Sequence, residues 1–249
     1  MLRHHQKVRF LHLLYWLGIS CLTACSSLLG QEVKLVSPSE FANKEAPGLS
    51  DPELCCPFSF RYQQLFPAAD FESLPGGKGL ITAIAWRPDG EAVTGSLTNN
   101  IGRLVLRLST TEIDSLSNLF SDNLTTQMTQ VLDREVTLST VNGGPGGGPK
   151  DFDYVIPLDE PFLYDTSAGN LLFDWDATDG FPAPAHLSDA FTDAFNSELV
   201  RFATPLGSDS GFFVPGFVQE FTFVVPEPST SILLGFAVCA ALSIRSRRI

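Results

Sequence analysis

Between residues 58 and 225 the chain is built from short runs of aromatic and β-branched residues, divided at close spacing by turn residues. No other feature constrains the fold as much. A period of two puts alternate side chains on opposite faces of a strand, so each run describes a strand with one face buried. Phe58-Ser-Phe60-Arg-Tyr62 alternates in this way. Leu80 to Trp86 reads as a buried strand closed by the turn Arg87-Pro-Asp-Gly90. Glu91–Leu97 and Ile101–Leu108 follow; in the second, Leu104, Leu106 and Leu108 share one face and Arg103 and Arg107 the other. Further strands are expected at Val131–Ser139, Phe152–Leu158, Leu171–Trp175 (after the turn Ser167-Ala-Gly169-Asn170), Glu198–Ala203 and Phe212–Val225.

Two stretches depart from this period. Ile113, Leu116 and Leu119 recur at helical spacing behind a Ser109 or Thr110 cap, which predicts a short helix over 110–119. A second short helix is expected over 186–195. Nine or ten strands without intervening helices argue for an all-β fold, an antiparallel sandwich of jelly-roll type rather than a parallel sheet.

The two ends have a different character. Arg3, Lys7 and Arg9 precede a mostly apolar run from Phe10 to Leu29, the pattern of a signal peptide over 1–30. Cleavage near Ser26 or Gly30 suits signal peptidase. Leu22-Thr-Ala-Cys25 alternatively resembles a bacterial lipobox, in which Cys25 would carry lipid. Residues 31–54 read as an extended lead-in and 55–224 as the sandwich. At the other end, Val225-Pro226-Glu227-Pro228 precedes an apolar stretch from Ser231 to Ile244, and Arg245, Arg247 and Arg248 close the chain. The apolar stretch is short against the roughly 17–25 residues of a helical span, and the arginines would hold it on the cytoplasmic side.

This order of motif, apolar segment and arginine cluster over 225–249 resembles the PEP-CTERM sorting signal of exported bacterial proteins. The resemblance implies an exosortase as processing partner and a transient membrane stage through a single C-terminal helix. It further implies delivery to the cell surface or the extracellular matrix. The body carries a related likeness. Phe60 to Phe66, Ile81 to Asp89, Arg107 to Thr111, Asn123 to Thr125, Gly147 to Asp153 and Pro161 to Phe173 look like a domain recurring in such proteins. That likeness implies a β-sandwich and supplies no catalytic residues.

Removing the ends sharpens the charge. The whole chain has 28 acids and 16 bases, a net −12. Six of the bases and one acid (Glu227) lie in the ends, which leaves the body near −17. Such a body repels polyanions, and no nucleic acid is expected as a partner. Of five cysteines only Cys55 and Cys56 lie in the body. They can form a vicinal disulfide, pair between molecules or stay reduced, and their spacing excludes a cysteine-rich zinc site.

Asp174-Trp-Asp176-Ala-Thr-Asp179-Gly180 is the most site-like acidic cluster. Alternate carboxylates before a glycine suit calcium, although the third acid is displaced and no bidentate Glu follows; the alternative is a solvated turn after a strand. No other cofactor is expected. Asn142 to Lys150 is glycine-rich, but without Gly-Lys-Ser/Thr opening a helix it is a turned connection and not a phosphate loop. His186, Ser188 and Asp189 have the residue types of a triad but are chain neighbours. Trp86, Tyr154, Tyr164, Trp175 and the Phe residues are candidates for stacking on sugars, although most are more simply explained as core. The reading is a surface or matrix protein with a structural or binding role and no enzyme activity. A carbohydrate-binding module facing exopolysaccharide and a secreted hydrolase are the alternatives.

Overall fold

The computed structural model describes residues 30–47, 59–90, 95–178, 188–191, 199–203 and 206–226. Glu32–Val224 forms one compact unit. Strands dominate. They are β1 (Gln31–Ser37), β2 (Phe60–Phe66), β3 (Lys78–Trp86), β4 (Leu97–Thr111), β5 (Thr129–Thr140) and β6 (Tyr154–Asp165). After them come β7 (Asn170–Thr178), β8 (Ala190–Phe191), β9 (Val200–Ala203), β10 (Gly216–Phe217) and β11 (Gln219–Val225). One sheet has the order β1-β11-β3-β6, a second the order β5-β4-β7-β2-β9, and β10 pairs with β8. The pairings of β3 with β11 and β6, of β2 with β7 and β9, and of β4 with β5 and β7 are antiparallel.

The two large sheets meet through aromatic rings. Phe66 of β2 lies edge-on to Phe221 of β11 at 5.0 Å, and Trp86 of β3 stacks on Trp175 of β7 at 5.6 Å. Phe71, on the 3-10 turn Ala68–Phe71, touches Tyr164, Phe221 and Phe223. The alternation expected for β4 is seen in full: Leu104, Leu106 and Leu108 are buried, while Arg103 and Arg107 occupy the other face. Their partners across the ladder are residues of β7, Leu106 opposite Trp175 and Leu108 opposite Phe173.

β6 contains Pro157 and Pro161, which would break a central ladder. It stands at the end of its sheet, where a missing N–H faces outward. Gly169, before β7, has φ 128, and a Cβ there would come within 2.2 Å of the Thr111 carbonyl oxygen. The Tyr164 hydroxyl donates to the Gly169 carbonyl at 2.9 Å and fixes this corner.

Three expectations change. Thr110 and Thr111 end β4, and the helix of this region is a single turn, α1 (Phe120–Asn123). Ile113 and Leu116 do face one side, but they pack on Leu65 and Leu172 of the sheet. The Ser117 N–H donates to Asn123 Oδ1, and the Leu119 N–H donates to Ser117 Oγ; such side-chain bonds compete with a helix. In the second stretch expected to be helical, Ser188 bridges to Pro88 and Ala190–Phe191 is a strand, while 186–187 and 192–195 lie outside the described residues. Within the stretch read as an extended lead-in, Gln31–Ser37 is an edge strand.

The aromatic seam makes Phe221 a test of the packing. Phe221→Ala is expected to cost about 3–5 kcal/mol in denaturant unfolding, the usual range for emptying a buried phenylalanine site. Val155→Thr, at a 44% exposed position, should stay within about 0.5 kcal/mol.

Candidate functional site

Alternation along β7 sends Asp174 and Asp176 to the face of the five-stranded sheet opposite the aromatic core. There Asp174 stands across from Arg107 of β4 and Gln63 of β2, and Asp176 across from Arg61. Asp174 is fully buried: Oδ1 accepts from Arg61 Nε and Gln63 Nε2, both at 2.9 Å, and Oδ2 accepts from Arg107 Nη1 at 2.8 Å. Arg107 Nη2 donates to Asp176 Oδ2 at 2.8 Å. The Arg61 guanidinium lies 4.9 Å from the centroid of the Phe120 ring. Asn123 Nδ2 donates to Gln63 Oε1 at 2.9 Å, which connects α1 to the network. Next to it, Arg103 grips Asp133 through Nε and Nη2 at 2.6 and 2.8 Å. Burial pulls the Arg107 guanidinium down, but the hydrogen bonds and charges of Asp176 and Asp174 outweigh it and raise its pKa.

These partners answer the calcium reading. A hard cation needs carboxylate oxygens free to turn toward it, whereas both oxygens of Asp174 and one of Asp176 are bound to guanidinium groups. Asp174 is neither a cation ligand here nor a residue of a solvated turn; it is a strand residue in a buried ion-pair network. Asp179 lies outside the described residues. Among the described residues, no group of three or more His, Cys, Asp and Glu is placed to hold a metal ion.

Two of the three triad types, Ser188 and Asp189, lie among the described residues. Ser188 forms a bridge with Pro88, and His186 lies outside the described residues. Asp189 is wholly buried against Arg87, with Arg87 Nε donating to its Oδ2 at 2.7 Å and the Ala46 N–H donating to Oδ1 at 3.2 Å. Arg87 Nη2 also donates to the carbonyls of Phe41 and Lys44, and Phe152 covers the guanidinium. The pair therefore ties the end of β3 to the 41–46 segment and to β8. Burial pushes the Asp189 carboxyl up, against the pull of Arg87. Nothing in the sequence separated this arginine from an ordinary turn residue.

Beside it, Glu45 Oε1 accepts the Gly90 N–H at 2.6 Å. The glycine-rich turn reaches the same place, because a Cβ on Gly148 would strike Glu45 Oε2. The turn itself has positive φ at Gly144, Gly147 and Gly148 and joins β5 to β6. Burial raises the Glu45 carboxyl above its ordinary 4.5; the Gly90 hydrogen bond and Arg87 oppose this, while Asp189 and Asp89 add to it.

Of the rings weighed for sugar stacking, Trp86, Tyr154, Tyr164 and Trp175 are all buried in the core. Among the described residues the exposed aromatic rings are Phe212 and Phe213, at 50% and 41%. They follow Gly211, whose N–H donates to the Asn118 carbonyl, and Leu119, next to Asn118, is also exposed. The sequence signal for these two was weak, because Phe212 opened a run that read as one strand.

Of the address residues, Val225 ends β11 and Pro226 follows it. Glu227, Pro228, Arg245, Arg247, Arg248, Cys25, Cys55 and Cys56 lie outside the described residues. Among the described residues no helix is long and apolar enough to cross a membrane. Comparison with known families finds no family model that matches the chain, and no curated protein matches it.

Two outcomes test this geometry. Asp174→Ala leaves two guanidinium groups without their buried partner and is expected to cost about 3 kcal/mol or more in unfolding experiments. Calcium at millimolar concentration is expected to leave the Tm of the native chain unchanged. For Glu45 the folded pKa exceeds the unfolded one, so its contribution to stability is full below about pH 4.5 and falls as pH rises through the raised value. In Glu45→Gln that decline is expected to vanish from a plot of Tm against pH, with no change in the acid limb below pH 4.

Proposed function

We propose that the chain is an exported protein whose jelly-roll body serves a structural or binding role at the cell surface or in the extracellular matrix. The observation that carries the address is the ordered tail: Pro226-Glu227-Pro228, an apolar segment, then Arg245, Arg247 and Arg248, with a basic and apolar leader at the other end. In this reading an exosortase recognises the tail, the apolar segment holds the precursor in the membrane, and processing releases the body outward.

The jelly-roll reading is supported by strand order. Numbering eight strands β1 to β7 and then β11, one sheet takes the first, eighth, third and sixth, and the other takes the fifth, fourth, seventh and second. Two interleaved Greek keys give this order. A binding role is supported by the engaged carboxylates: Asp174, Asp176 and Asp189 are held by arginines. The exposed pair Phe212 and Phe213 favours polysaccharide as a ligand, since rings stack on the apolar faces of pyranoses.

Replacing Pro226-Glu227-Pro228 by three alanines in the native host is expected to leave unprocessed precursor in the membrane fraction, and normal processing would refute the sorting role. For the ligand, the processed protein is expected to bind neutral glycans on an array. Phe212→Ala with Phe213→Ala should weaken that binding about tenfold, equivalent to about 1.4 kcal/mol. Undiminished binding by the double variant excludes this patch.

A further inference from the structure

The end of the sandwich near β10 contains two buried glutamines with opposite surroundings. Gln64 is fully hydrogen-bonded. Its Nε2 donates to the Phe217 carbonyl at 3.0 Å, and its Oε1 accepts the Phe217 N–H at 3.0 Å and the Tyr62 hydroxyl. Gln219 is just as buried, at 0% exposure, yet neither its Nε2 nor its Oε1 has a hydrogen-bond partner in the protein. Two indole donors share this condition: Trp86 Nε1 and Trp175 Nε1 are buried with no acceptor.

The three side chains belong to one place. Gln219 of β11 is the register partner of Trp86 of β3, and strand alternation turns both inward with Phe221 and Ile84. Trp86 stacks on Trp175 of the facing sheet with ring centroids 5.6 Å apart. The three side chains that carry these four atoms are therefore neighbours between the sheets. Phe60, Tyr62, Phe173 and Phe217 surround Trp175 on its other sides.

An indole N–H can rest against a ring face, a weak interaction that meets part of its demand. A primary amide cannot be satisfied that way. Its carbonyl needs a donor, and the residues around it present rings and further donors. Buried polar groups of this kind are paired in folded proteins, with ordered water where protein partners are missing. The complement of two indole donors, one amide donor and one amide acceptor is a molecule that both accepts and donates in a small volume. We infer that the sandwich encloses ordered water between Gln219, Trp86 and Trp175, bridging the amide of one sheet to the indole of the other. Three buried polar side chains supply the donors and the acceptor that a stable internal water requires. The water joins β11 and β3 to β7 at a level where no protein hydrogen bond does so through these three side chains.

The chain contains three tryptophans, one of them Trp16 in the leader, so indole-labelled protein gives at most three Nε1–H signals. Trp86→Phe and Trp175→Phe assign them. In the full chain held in detergent micelles, the Trp86 and Trp175 indole protons are expected to show cross-peaks to long-lived water. Gln219→Leu is expected to abolish those cross-peaks and lower the Tm by several degrees. Native protein without the water cross-peaks overturns the inference. So does a Gln219→Leu variant that is more stable than the native chain, because an unhydrated amide is a liability that leucine removes. If Gln219→Leu fails to fold, the cross-peaks of the native chain decide alone.

Discussion

Arg87 and Asp189 form an ion pair with almost no solvent contact, and one end of the fold is assembled around it. A buried guanidinium is tolerated only when its donors are satisfied and its charge is matched. Arg87 meets both conditions with the carboxylate of Asp189, the carbonyls of Phe41 and Lys44, and the ring of Phe152. Those partners come from three separate stretches of sequence, and Arg87 itself from a fourth. The requirement to satisfy one arginine thus fixes where the 41–46 segment, the end of β3, the approach to β6 and the start of β8 lie. The Asp189 backbone extends the arrangement, its N–H donating to the Arg87 carbonyl and its carbonyl accepting the Val218 N–H just before β11. Exchange for apolar residues would not reproduce these directional bonds.

The lattice on the five-stranded sheet works by the same rule at another scale. Asp174 sits inside the protein because three donors converge on it, and those donors are on the strands that flank β7. A single register slip of β4 or β2 would turn Arg107 or Arg61 to the aromatic side and leave the buried carboxylate only partly paired. The network therefore favours one pairing over its neighbours, while the apolar seam supplies most of the driving force. The face away from the aromatic seam thus carries a fully buried acid. It is itself covered in part, since Leu116 packs on Leu65 and Leu172 and the Phe120 ring of α1 lies against Arg61.

Much of the fold was legible because strand alternation is local. Leu104, Leu106 and Leu108 against Arg103 and Arg107 gave the two faces of β4 directly, and Ser167 to Asn170 marked the corner before β7 correctly. The helix over 110–119 failed for an equally physical reason. Helical spacing of Ile113 and Leu116 records only that one side is apolar, and a loop folded back on a sheet meets the same condition. The site was less legible than the fold. Alternate aspartates look the same in sequence whether a cation or two arginines will face them, and the arginines that decide it, Arg61 and Arg107, are more than 60 positions away. Of the sugar-stacking candidates, Trp86 and Trp175 are taken up by each other across the sheets, while two of the Phe residues, Phe212 and Phe213, stay exposed.

The same arginines determine what the surface presents. The body has ten bases, and eight of them stand in ion pairs: Lys34, Lys44, Arg61, Lys78, Arg87, Arg103, Arg107 and Arg134. Arg201 is bound to the carbonyls of Val200 and Leu116, and Lys150 is largely buried. The exposed pairs among these contribute little to stability. Their effect is on the field, because each removes a positive charge that a partner would otherwise meet. A body near −17 with its bases so committed repels acidic polymers. In the surface role proposed above, favourable contact with a matrix then comes from uncharged surface, and Phe212, Phe213 and Leu119 are the large apolar side chains that the 118–120 and 210–213 segments leave exposed together. In that proposal charge selects the class of partner, and the exposed rings select the place.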